Sequence, residues 1–291
     1  MTVRSVLLVV HPHRVAALTM ADECARGLER HGIAVYALDE SPVALQVPRA
    51  PATQPTDLVV VFGGDGSILR GSEIAREHDV PLIGVNLGHV GFLAELEHEE
   101  AGNIVDQIAS GKFVIQERLT LDVSVLRAGE VVARSWALNE ASVEKAARQR
   151  MIQVVAEVDR RPLSTWGCDG VLFATPTGST GYAWSAGGPV VWPTVDAMLL
   201  VPVSAHALFA RPMVVSADTG LALEVLPESP AAVLWCDGQR LIALNPGDRV
   251  EVVRGERPVR LARLQDTLFV DRLVAKFQLP VKGWSGRGRD Q

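Results

Sequence analysis

An acidic residue stands inside a glycine turn in the segment VVVFGGDGSILRG, residues 59–71. Glycines let backbone N–H groups come close to an anion, so Gly63, Gly64 and Gly66 suit a phosphate-binding turn. Asp65 lies among them, and phosphates repel its carboxylate unless it binds a metal or accepts a proton. The segment therefore predicts phosphate chemistry assisted by a metal or by a base.

The same segment also fits a plain strand-to-helix turn with Ser67 as the helix N-cap. The chain lacks GxxxxGK[ST], which argues against an ordinary P-loop nucleotide enzyme. It also lacks GxGxxG after the first predicted strand, so the standard dinucleotide-binding fingerprint is missing. A phosphate site in this chain must therefore belong to another class of protein.

A second stretch, CDGVLFATPTGSTGYAWSAGGPVVWP at residues 168–193, is dense in Ser, Thr and Gly. It offers many hydroxyls and backbone N–H groups, and Tyr182 offers a flat face for a base. The alternative is a glycine-rich loop of a β domain with Tyr182 as a core aromatic. Because Gly costs conformational entropy on folding, so many small residues in one run favour a ligand-lining loop.

Two shorter stretches are weaker when taken alone. In ALNEAS, Asn139 and Glu140 interrupt an apolar run, and such a pair can hydrogen-bond ribose hydroxyls or an adenine edge. By itself this pair is better explained as a turn or a strand edge. In NLGHVGFL, residues 86–93, the two glycines indicate a close backbone approach, and Phe92 can wall a pocket. His89 reads as a loop residue, because no second His stands at metal-ligand spacing.

The elements that must position these residues fall into two patterns. The first part of the chain alternates strand-like and helix-like segments, which predicts βαβ units and a parallel, Rossmann-like sheet. From residue 113 onward, short alternating strands separated by turn residues predict an all-β sandwich. The last stretch predicts an amphipathic helix that packs back on the first domain, followed by a disordered tail. The predicted domains are therefore 1–112, 113–265 and 266–291. In the first of them, the predicted strands are 6–10, 32–38, 57–62 and 80–87, and the predicted helices are 15–30, 68–77 and 97–110.

Composition excludes several classes of function. The 291 residues carry a net charge of -6, which argues against a general nucleic-acid binder. No stretch approaches the ~20 apolar residues that span a bilayer, so no membrane partner is expected. The three cysteines, Cys24, Cys168 and Cys236, are too far apart for a zinc set and are odd in number. We therefore expect a cytoplasmic protein without a disulfide framework.

Taken in order, these motifs resemble the NAD kinase family, ATP- or polyphosphate-dependent. The series is GGDG, NxGxxGFL, NE, then DG followed by TPTGST and SAGGP. It continues through HALFARPMVVS (206–216) and DGQ (237–239), and SAGGPVVWP is similar to actinobacterial members. The resemblance implies transfer of a phosphoryl group to the 2′-hydroxyl of the adenosine ribose of NAD, which gives NADP. It also implies a fold like that of NAD and diacylglycerol kinases, in a homodimer or homotetramer.

The resemblance also implies residue roles. Asp65 would accept or orient the proton of the attacking hydroxyl, and a divalent cation, with Mg²⁺ expected, would sit on the phosphates of ATP or polyphosphate. Arg70 would add positive charge to the phosphate-donor loop of Gly63, Gly64 and Gly66, or be a solvated helix residue. No residue is predicted as a metal ligand. The resemblance also implies which residues contact NAD. Asn139 and Glu140 would hold the adenosine, Thr177, Thr180 and Gly181 would line the adenine, and Tyr182 would stack on the folded dinucleotide. Asp169 and Ser185 would meet the nicotinamide end, Phe92 would form one wall of the pocket, and Gly66 would also contact NAD.

Two positions depart from the family pattern. Gly181 stands where the usual motif reads TGSTAY, and Gly167 stands where many members carry an Arg two residues before the matching Asp. The missing Arg motivates the hypothesis that NADH is also accepted. Two other functions stay open, since a lone GGDG also occurs in lipid kinases and phosphofructokinases. These are a kinase for a lipid or sugar phosphate, and a non-catalytic NAD sensor, although a sensor has no use for Asp65.

Overall fold

The computed structural model describes residues 2–39, 41, 45–86, 91–93, 104–148, 150–264 and 268–281. These residues form two compact units, 1–117 together with 259–291, and 118–258. Gly88 and His89, the first part of the predicted helix 97–110 and the tail predicted to be disordered lie outside the described residues. No described helix has the length and apolar character needed to cross a bilayer.

The first unit is built on a seven-stranded sheet in the order β3-β2-β1-β4-β5-β19-β6. The neighbours from β3 to β19 pair in parallel, so the predicted α/β unit with a parallel sheet is confirmed. Its strands are β1 (Ser5–Val10), β2 (Ala34–Leu38), β3 (Arg49–Ala50), β4 (Leu58–Phe62), β5 (Leu82–Val85), β6 (Val114–Arg118) and β19 (Val259–Arg263). Its helices are α1 (Val15–Arg30), α2 (Asp65–His78), α3 (Ile104–Ser110) and α5 (Phe269–Phe277).

The central strands of this sheet are apolar along their whole length. Every residue of β4 and β5 is buried, as are the last five residues of β1. Parallel strands covered by helices on both faces read as continuous apolar runs instead of alternating ones, because neither face meets water. This is why the runs VLLVV and LVVVF identify the strands correctly from sequence. The stretch 259–263, which was predicted to belong to the second domain, pairs with β5 as strand β19.

Helix α2 begins three residues earlier than predicted. Its N-cap is Gly64, and Asp65 is its first residue, so the interpretation of Ser67 as the N-cap is wrong. The N–H groups of Ser67 and Ile68 both donate to the Gly64 carbonyl, which closes the first turn. An acidic residue in a first helical turn is favoured by the helix dipole, so Asp65 supports the helix start that it occupies.

The second unit consists of two six-stranded antiparallel sheets. Alternate residues of both sheets share one core that includes Trp166, Phe173 and Leu200, so the predicted β-sandwich is confirmed. The first sheet has the order β11-β10-β15-β18-β7-β8, with β7 (Leu121–Arg127), β8 (Glu130–Ala137), β10 (Ile152–Val158), β11 (Arg161–Cys168), β15 (Leu221–Val225) and β18 (Arg249–Arg254). The second has the order β14-β13-β12-β9-β16-β17, with β9 (Glu140–Lys145), β12 (Gly170–Ala174), β13 (Ala197–Val203), β14 (Met213–Ser216), β16 (Ala232–Cys236) and β17 (Arg240–Leu244).

The outer face of the second sheet is covered as well. Leu172, Leu199 and Val201 pack there against Ala183 and Val191. Ala183 belongs to the short helix α4 (Tyr182–Ser185), which follows a single 3₁₀ turn, Gly178–Thr180. The Ser-, Thr- and Gly-rich stretch therefore lies flat on the sheet, and buried Ala183 fixes the position of Tyr182 beside it.

An ion-pair network ties three strands of the first sheet together. The Arg249 guanidinium donates to both carboxylate oxygens of Glu157, at 2.8 Å each, and to Glu251 at 2.9 Å. The register places Glu157 and Glu251 opposite the same residue of the strand between them, Ala222. Because Ala222 has a small side chain, the charged groups on either side of β15 meet across it.

We expect Glu157→Gln to lower the free energy of unfolding by about 1 kcal/mol at pH 7, since it removes one charge-assisted, bidentate pair. The hydrogen bonds from Arg249 lower the pKa of Glu157. This contribution is therefore present above the unfolded pKa of a glutamate, about 4.3, and is lost as the pH falls through the lower folded-state value. Urea unfolding at pH 7 and pH 3.5 measures it. Exposed Glu228→Gln is the matched control, and an equal effect of both variants would contradict the role of the network.

Candidate active site

The carboxylate of Asp65 is held by backbone groups from a distant part of the chain. The N–H of Phe92 donates to Oδ2 at 3.3 Å, and the N–H of Leu93 donates to Oδ1 at 3.2 Å. A Cβ on residue 91 would lie 2.5 Å from Oδ1, so only Gly91 lets this segment come so close. The first residue of α2 thereby has a fixed carboxylate that is only partly buried.

Helix α5 anchors the segment that holds Asp65. Buried Arg272 donates to the Phe92 carbonyl at 2.9 Å. The Phe92 ring lies 5.9 Å from the ring centroid of Phe269 and 6.0 Å from that of Phe277. Phe92 is consequently buried within its own unit, and its predicted role as a wall of the NAD pocket stays a prediction.

The glycines of the turn differ in their surroundings. A Cβ on Gly63 would collide with the Ser67 side chain, whereas a Cβ on Gly64 or Gly66 would meet no atom of the described residues within 4 Å. Open space over Gly64 and Gly66 lies at the N-terminus of a 14-residue helix, where backbone N–H groups and the helix dipole attract anions. Arg70 is exposed in the second turn of the same helix. This arrangement can receive phosphate oxygens next to the carboxylate of Asp65.

In the β unit, the loop after β12 is clasped to the residues that precede β9. Thr175 donates through Oγ1 to the Leu138 carbonyl at 2.5 Å and through its N–H to the Asn139 carbonyl at 2.9 Å. The Gly178 N–H donates back to Thr175 Oγ1 at 3.0 Å. A Cβ on Gly178 would overlap the Asn139 carbonyl. The TPTGST motif therefore needs Gly178 because its turn rests directly on Asn139.

Asn139 and Glu140 each present a buried polar atom, Oδ1 and Oε2 respectively, that has no hydrogen-bond partner among the described residues. Burial raises the pKa of Glu140 to about 8, with further contributions from the charges of Asp237 and Glu144 against the N–H of Tyr182, which opposes the shift. Burial therefore favours the protonated form of this carboxyl. Leaving a buried polar atom unpaired costs about 1–3 kcal/mol, and such atoms with a shifted pKa are typical of a ligand site.

The unpaired oxygen of Glu140 lies close to position 181. A Cβ at this position would lie 3.2 Å from Oε2, so Gly181 avoids a tight contact that the Ala of TGSTAY would make here. Tyr182 follows and is 38% exposed, which leaves one part of its ring available for stacking. Burial raises the pKa of its phenol, and the charges of Glu144, Asp169 and Glu140 add to the shift.

The remaining predicted residues lie around the same loop. Thr180 Oγ1 donates to the carbonyl of Thr177 at 3.3 Å, and the Thr177 side chain is buried. Ser185 is exposed at the end of α4. Asp169, between β11 and β12, forms an ion pair with Lys145, and the Lys145 N–H donates to the Asp169 carbonyl at 3.1 Å. Lys145 was not predicted, because nothing in the sequence indicates that it faces Asp169.

Sequence reasoning also missed the position of Asp237 beneath the Asn139–Glu140 pair. Its carboxylate accepts the backbone N–H groups of Leu138 at 2.9 Å, Asn139 at 2.7 Å and Glu140 at 3.3 Å. Arg240 donates to it as well, at 2.8 Å. The only available signal was the DGQ motif, which carried no residue role. The structure thus collects Asn139, Glu140, Asp169, Thr177, Thr180, Gly181, Tyr182 and Ser185 in the β unit, and Gly63, Gly64, Asp65, Gly66, Arg70 and Phe92 in the α/β unit.

The described residues contain no group of three or more His, Cys, Asp or Glu side chains that could hold a metal ion.

Two family models match the chain. The ATP-NAD kinase N-terminal domain matches residues 44–113, and the ATP-NAD kinase C-terminal domain matches residues 138–264. The NAD kinase 2 of Streptomyces coelicolor is 52% identical over 293 residues, which cover 98% of this chain and 97% of the relative. The NAD kinase of Thermobifida fusca is 51% identical over 306 residues, which cover 100% of this chain and 94% of the relative.

Two solved structures share the fold. The yeast NADH kinase complexed with NADH has a TM-score of 0.86 at 20% identity and covers 97% of this chain and 90% of its own. The NAD kinase from Archaeoglobus fulgidus in complex with ATP has a TM-score of 0.67 at 25% identity, with coverages of 94% and 98%. The resemblance read from the ordered motifs is confirmed, and the chain belongs to the NAD kinase family, a family of phosphotransferases.

Proposed function

We propose that this chain phosphorylates the 2′-hydroxyl of the adenosine ribose of NAD to give NADP. The observation that carries the proposal is the pair of buried polar atoms on Asn139 and Glu140, which have no hydrogen-bond partner among the described residues and lie close to Gly181. A dinucleotide that binds there supplies the missing hydrogen bonds. Relatives about half identical over the full chain are named NAD kinases, which supports the same conclusion.

The β unit would hold the adenosine. Asn139 would bind the adenine edge and Glu140 a ribose hydroxyl, since a protonated carboxyl can both donate and accept a hydrogen bond. Tyr182 would stack on the folded dinucleotide. Thr177, Thr180 and Gly181 would line the adenine. Asp169 and Ser185 would meet the nicotinamide end, with Lys145 balancing the charge of Asp169.

The α/β unit would hold the phosphoryl donor. The backbone of Gly64 and Gly66 would face the phosphate oxygens, and Asp65 would accept or orient the proton of the 2′-hydroxyl. The N–H of Gly63 already donates to the Val85 carbonyl at 3.0 Å, so Gly63 would shape the turn instead of binding phosphate. The ribose oxygen forms a bond to the terminal phosphorus as the bond to the leaving phosphate breaks. The family is metal-dependent, and a divalent cation, proposed as Mg²⁺, would neutralise the phosphate charge when bound. Arg70 is exposed at one side of this loop.

ATP is the proposed donor, with inorganic polyphosphate as an alternative that suits the same glycine turn. The test is NADP formation by the purified protein with NAD, Mg²⁺ and either donor, read with an NADP-specific dehydrogenase. Product with either donor supports the proposal. NAD binding without turnover would instead indicate a sensor, and neither binding nor turnover would indicate a lipid or sugar kinase.

Two wider properties belong to the proposal as well, a cytoplasmic location and assembly into a homodimer or homotetramer. Light scattering coupled to size-exclusion chromatography measures the assembly. A monomer at working concentration would contradict it.

We expect Asp65→Asn to lower kcat by about 10²–10⁴ while NAD still binds, because general-base assistance is typically worth that much. Asn keeps the size of the side chain and one of the two acceptor oxygens that the N–H groups of Phe92 and Leu93 use. Steady-state kinetics and calorimetric titration with NAD measure the two effects. An unchanged kcat would show that Asp65 takes no part in the chemistry.

We expect Tyr182→Ala to raise KM for NAD by about tenfold with a smaller change in kcat, since base–aromatic stacking is worth about 1–3 kcal/mol. Tyr182→Phe is the matched control, because it keeps the ring and removes only the phenol, and it should recover most of the lost affinity. A fall in kcat at constant KM would rule out the stacking role.

We also expect NADH to be phosphorylated, since Gly167 stands at the position where many family members carry an Arg. A Cβ at 167 would lie 2.9 Å from Nε2 of Gln153, a side chain that can move, so Gly167→Arg is a feasible reverse substitution. It should reduce the rate with NADH more than the rate with NAD. A wild-type enzyme that turns over NAD but gives no product with NADH under the same conditions would contradict this hypothesis.

A further inference from the structure

The turn between β16 and β17 contains a residue that is costly in three ways. Asp237 has a positive φ of 52°, its side chain is 3% exposed, and it is acidic. Gly238, the next residue, also has a positive φ, 64°. Asn or Gly would meet the same turn geometry without a buried charge. Strained backbone and buried charge together are typical of functional positions, where the surrounding structure maintains them.

The hydrogen bonds of Asp237 lead to the candidate site. Its two carboxylate oxygens accept three consecutive N–H groups, those of residues 138, 139 and 140. Its own N–H donates in return to the Glu140 carbonyl at 2.9 Å. The last paired residues of the β9–β16 ladder are Ala141 and Cys236, so Asp237 extends the pairing beyond the end of the ladder. The three consecutive backbone N–H groups at the Asn139–Glu140 pair are therefore held by one side chain.

Arg240 supports Asp237 from the other strand of the hairpin. Its Nη2 donates to Oδ2 of Asp237 at 2.8 Å, and its guanidinium lies 4.4 Å from the ring centroid of Trp136. Burial raises the pKa of Asp237, whereas the three N–H groups and Arg240 oppose this shift. All four neighbours of the carboxylate are donors, and this pattern is satisfied only by the ionised form. Both oxygens are thus occupied, and neither is available to take a proton from substrate.

The charge of Asp237 acts on Glu140. Burial is the main cause that raises the pKa of Glu140; the charges of Asp237 and Glu144 raise it further, and the N–H of Tyr182 lowers it. Of the other charged groups, Arg240 acts on Asp237, and Lys145 is paired with Asp169. Ionisation of Glu140 beside a fixed negative charge in a buried site is unfavourable.

We propose that Asp237 is a positioning residue for the phosphoryl acceptor: through the backbone of residues 138–140 it sets the direction of the Asn139 and Glu140 side chains, and its negative charge acts on the Glu140 carboxyl. This inference rests on the proposed function, since it assumes that the pair holds NAD. Asp237 touches no substrate in this role and acts only through the two residues above it.

Asp237→Asn tests the inference in the full-length enzyme. Asn tolerates the positive φ and keeps the size of the side chain, but it removes the charge and one acceptor oxygen. We expect KM for NAD to rise about tenfold, as for the loss of one or two constraining hydrogen bonds, and kcat at saturating NAD to change much less. Removal of the negative charge lowers the pKa of Glu140. The limb of the kcat/KM profile that reports Glu140 should therefore move to lower pH by about one unit.

Two further variants separate a positioning role from plain stabilisation of the fold. In Glu140→Gln, the limb of the kcat/KM profile that reports Glu140 should be absent, and the addition of Asp237→Asn should cause no further pH shift. Glu157→Gln is the control, because it weakens the same unit through the other sheet, and it should leave KM and the pH profile unchanged. If Asp237→Asn does not fold, Arg240→Gln takes its place, with a raised KM expected and partial recovery in Arg240→Lys.

The outcomes distinguish a positioning role of Asp237 from a purely structural one. A lower melting temperature for Asp237→Asn with KM and pH profile unchanged would make Asp237 a turn residue only and overturn the inference, as would an unchanged KM in Arg240→Gln. If the wild-type enzyme makes no NADP, the proposed function fails by itself. Calorimetric titration with NAD then decides the positioning role, which is upheld if Asp237→Asn binds NAD more weakly and overturned if it binds equally well.

Discussion

Each unit of the fold orients one acidic side chain by means of backbone N–H groups from elsewhere in the chain, and the rest of the candidate site depends on this constraint. Asp65 is held by the N–H groups of residues 92 and 93, and Asp237 by those of residues 138–140. A carboxylate bound in this way has a fixed direction, and Asp237 has Arg240 as an additional partner. Asp65 remains partly exposed and suited to a reacting proton, whereas Asp237 is buried and can act only on its neighbours.

Two glycines allow the backbone to pack closely at the candidate site, and the reason is their lack of a side chain, not their flexibility. A side chain at 91 would strike the Asp65 carboxylate, and one at 178 would overlap the Asn139 carbonyl. Neither glycine has a positive φ, so each is required by close packing of backbone against a polar group. Gly64 and Gly66 differ from them, since a Cβ at either position would meet no described atom within 4 Å. Glycine therefore allows close backbone packing at positions 91 and 178, and it leaves room for a ligand at positions 64 and 66.

The order of the motifs and the apolar runs allowed the fold class and the family to be predicted, because both signals are local. Helix α1 was predicted with its observed bounds, and β4 within one residue, since a buried parallel strand is apolar throughout. The start of α2 was placed too late because Gly64 serves as the N-cap without a capping side chain. Asp237 and Lys145 could not be assigned from sequence. Their partners lie about 97–99 and 24 residues away, and only strand pairing brings them together.

The energetic logic of the β unit follows from its unpaired atoms. Protein interiors rarely leave polar atoms without partners, because each one costs about 1–3 kcal/mol. Oδ1 of Asn139 and Oε2 of Glu140 carry this cost in the free protein, and the rigid backbone clasped by Thr175 and Asp237 prevents them from turning to other donors. A ligand with hydroxyl and amino donors at the matching spacing recovers that free energy, whereas one without them leaves the cost in place. The site therefore discriminates against ligands that leave these atoms unpaired. Its selectivity depends on how firmly Thr175 and Asp237 hold the backbone of Asn139 and Glu140.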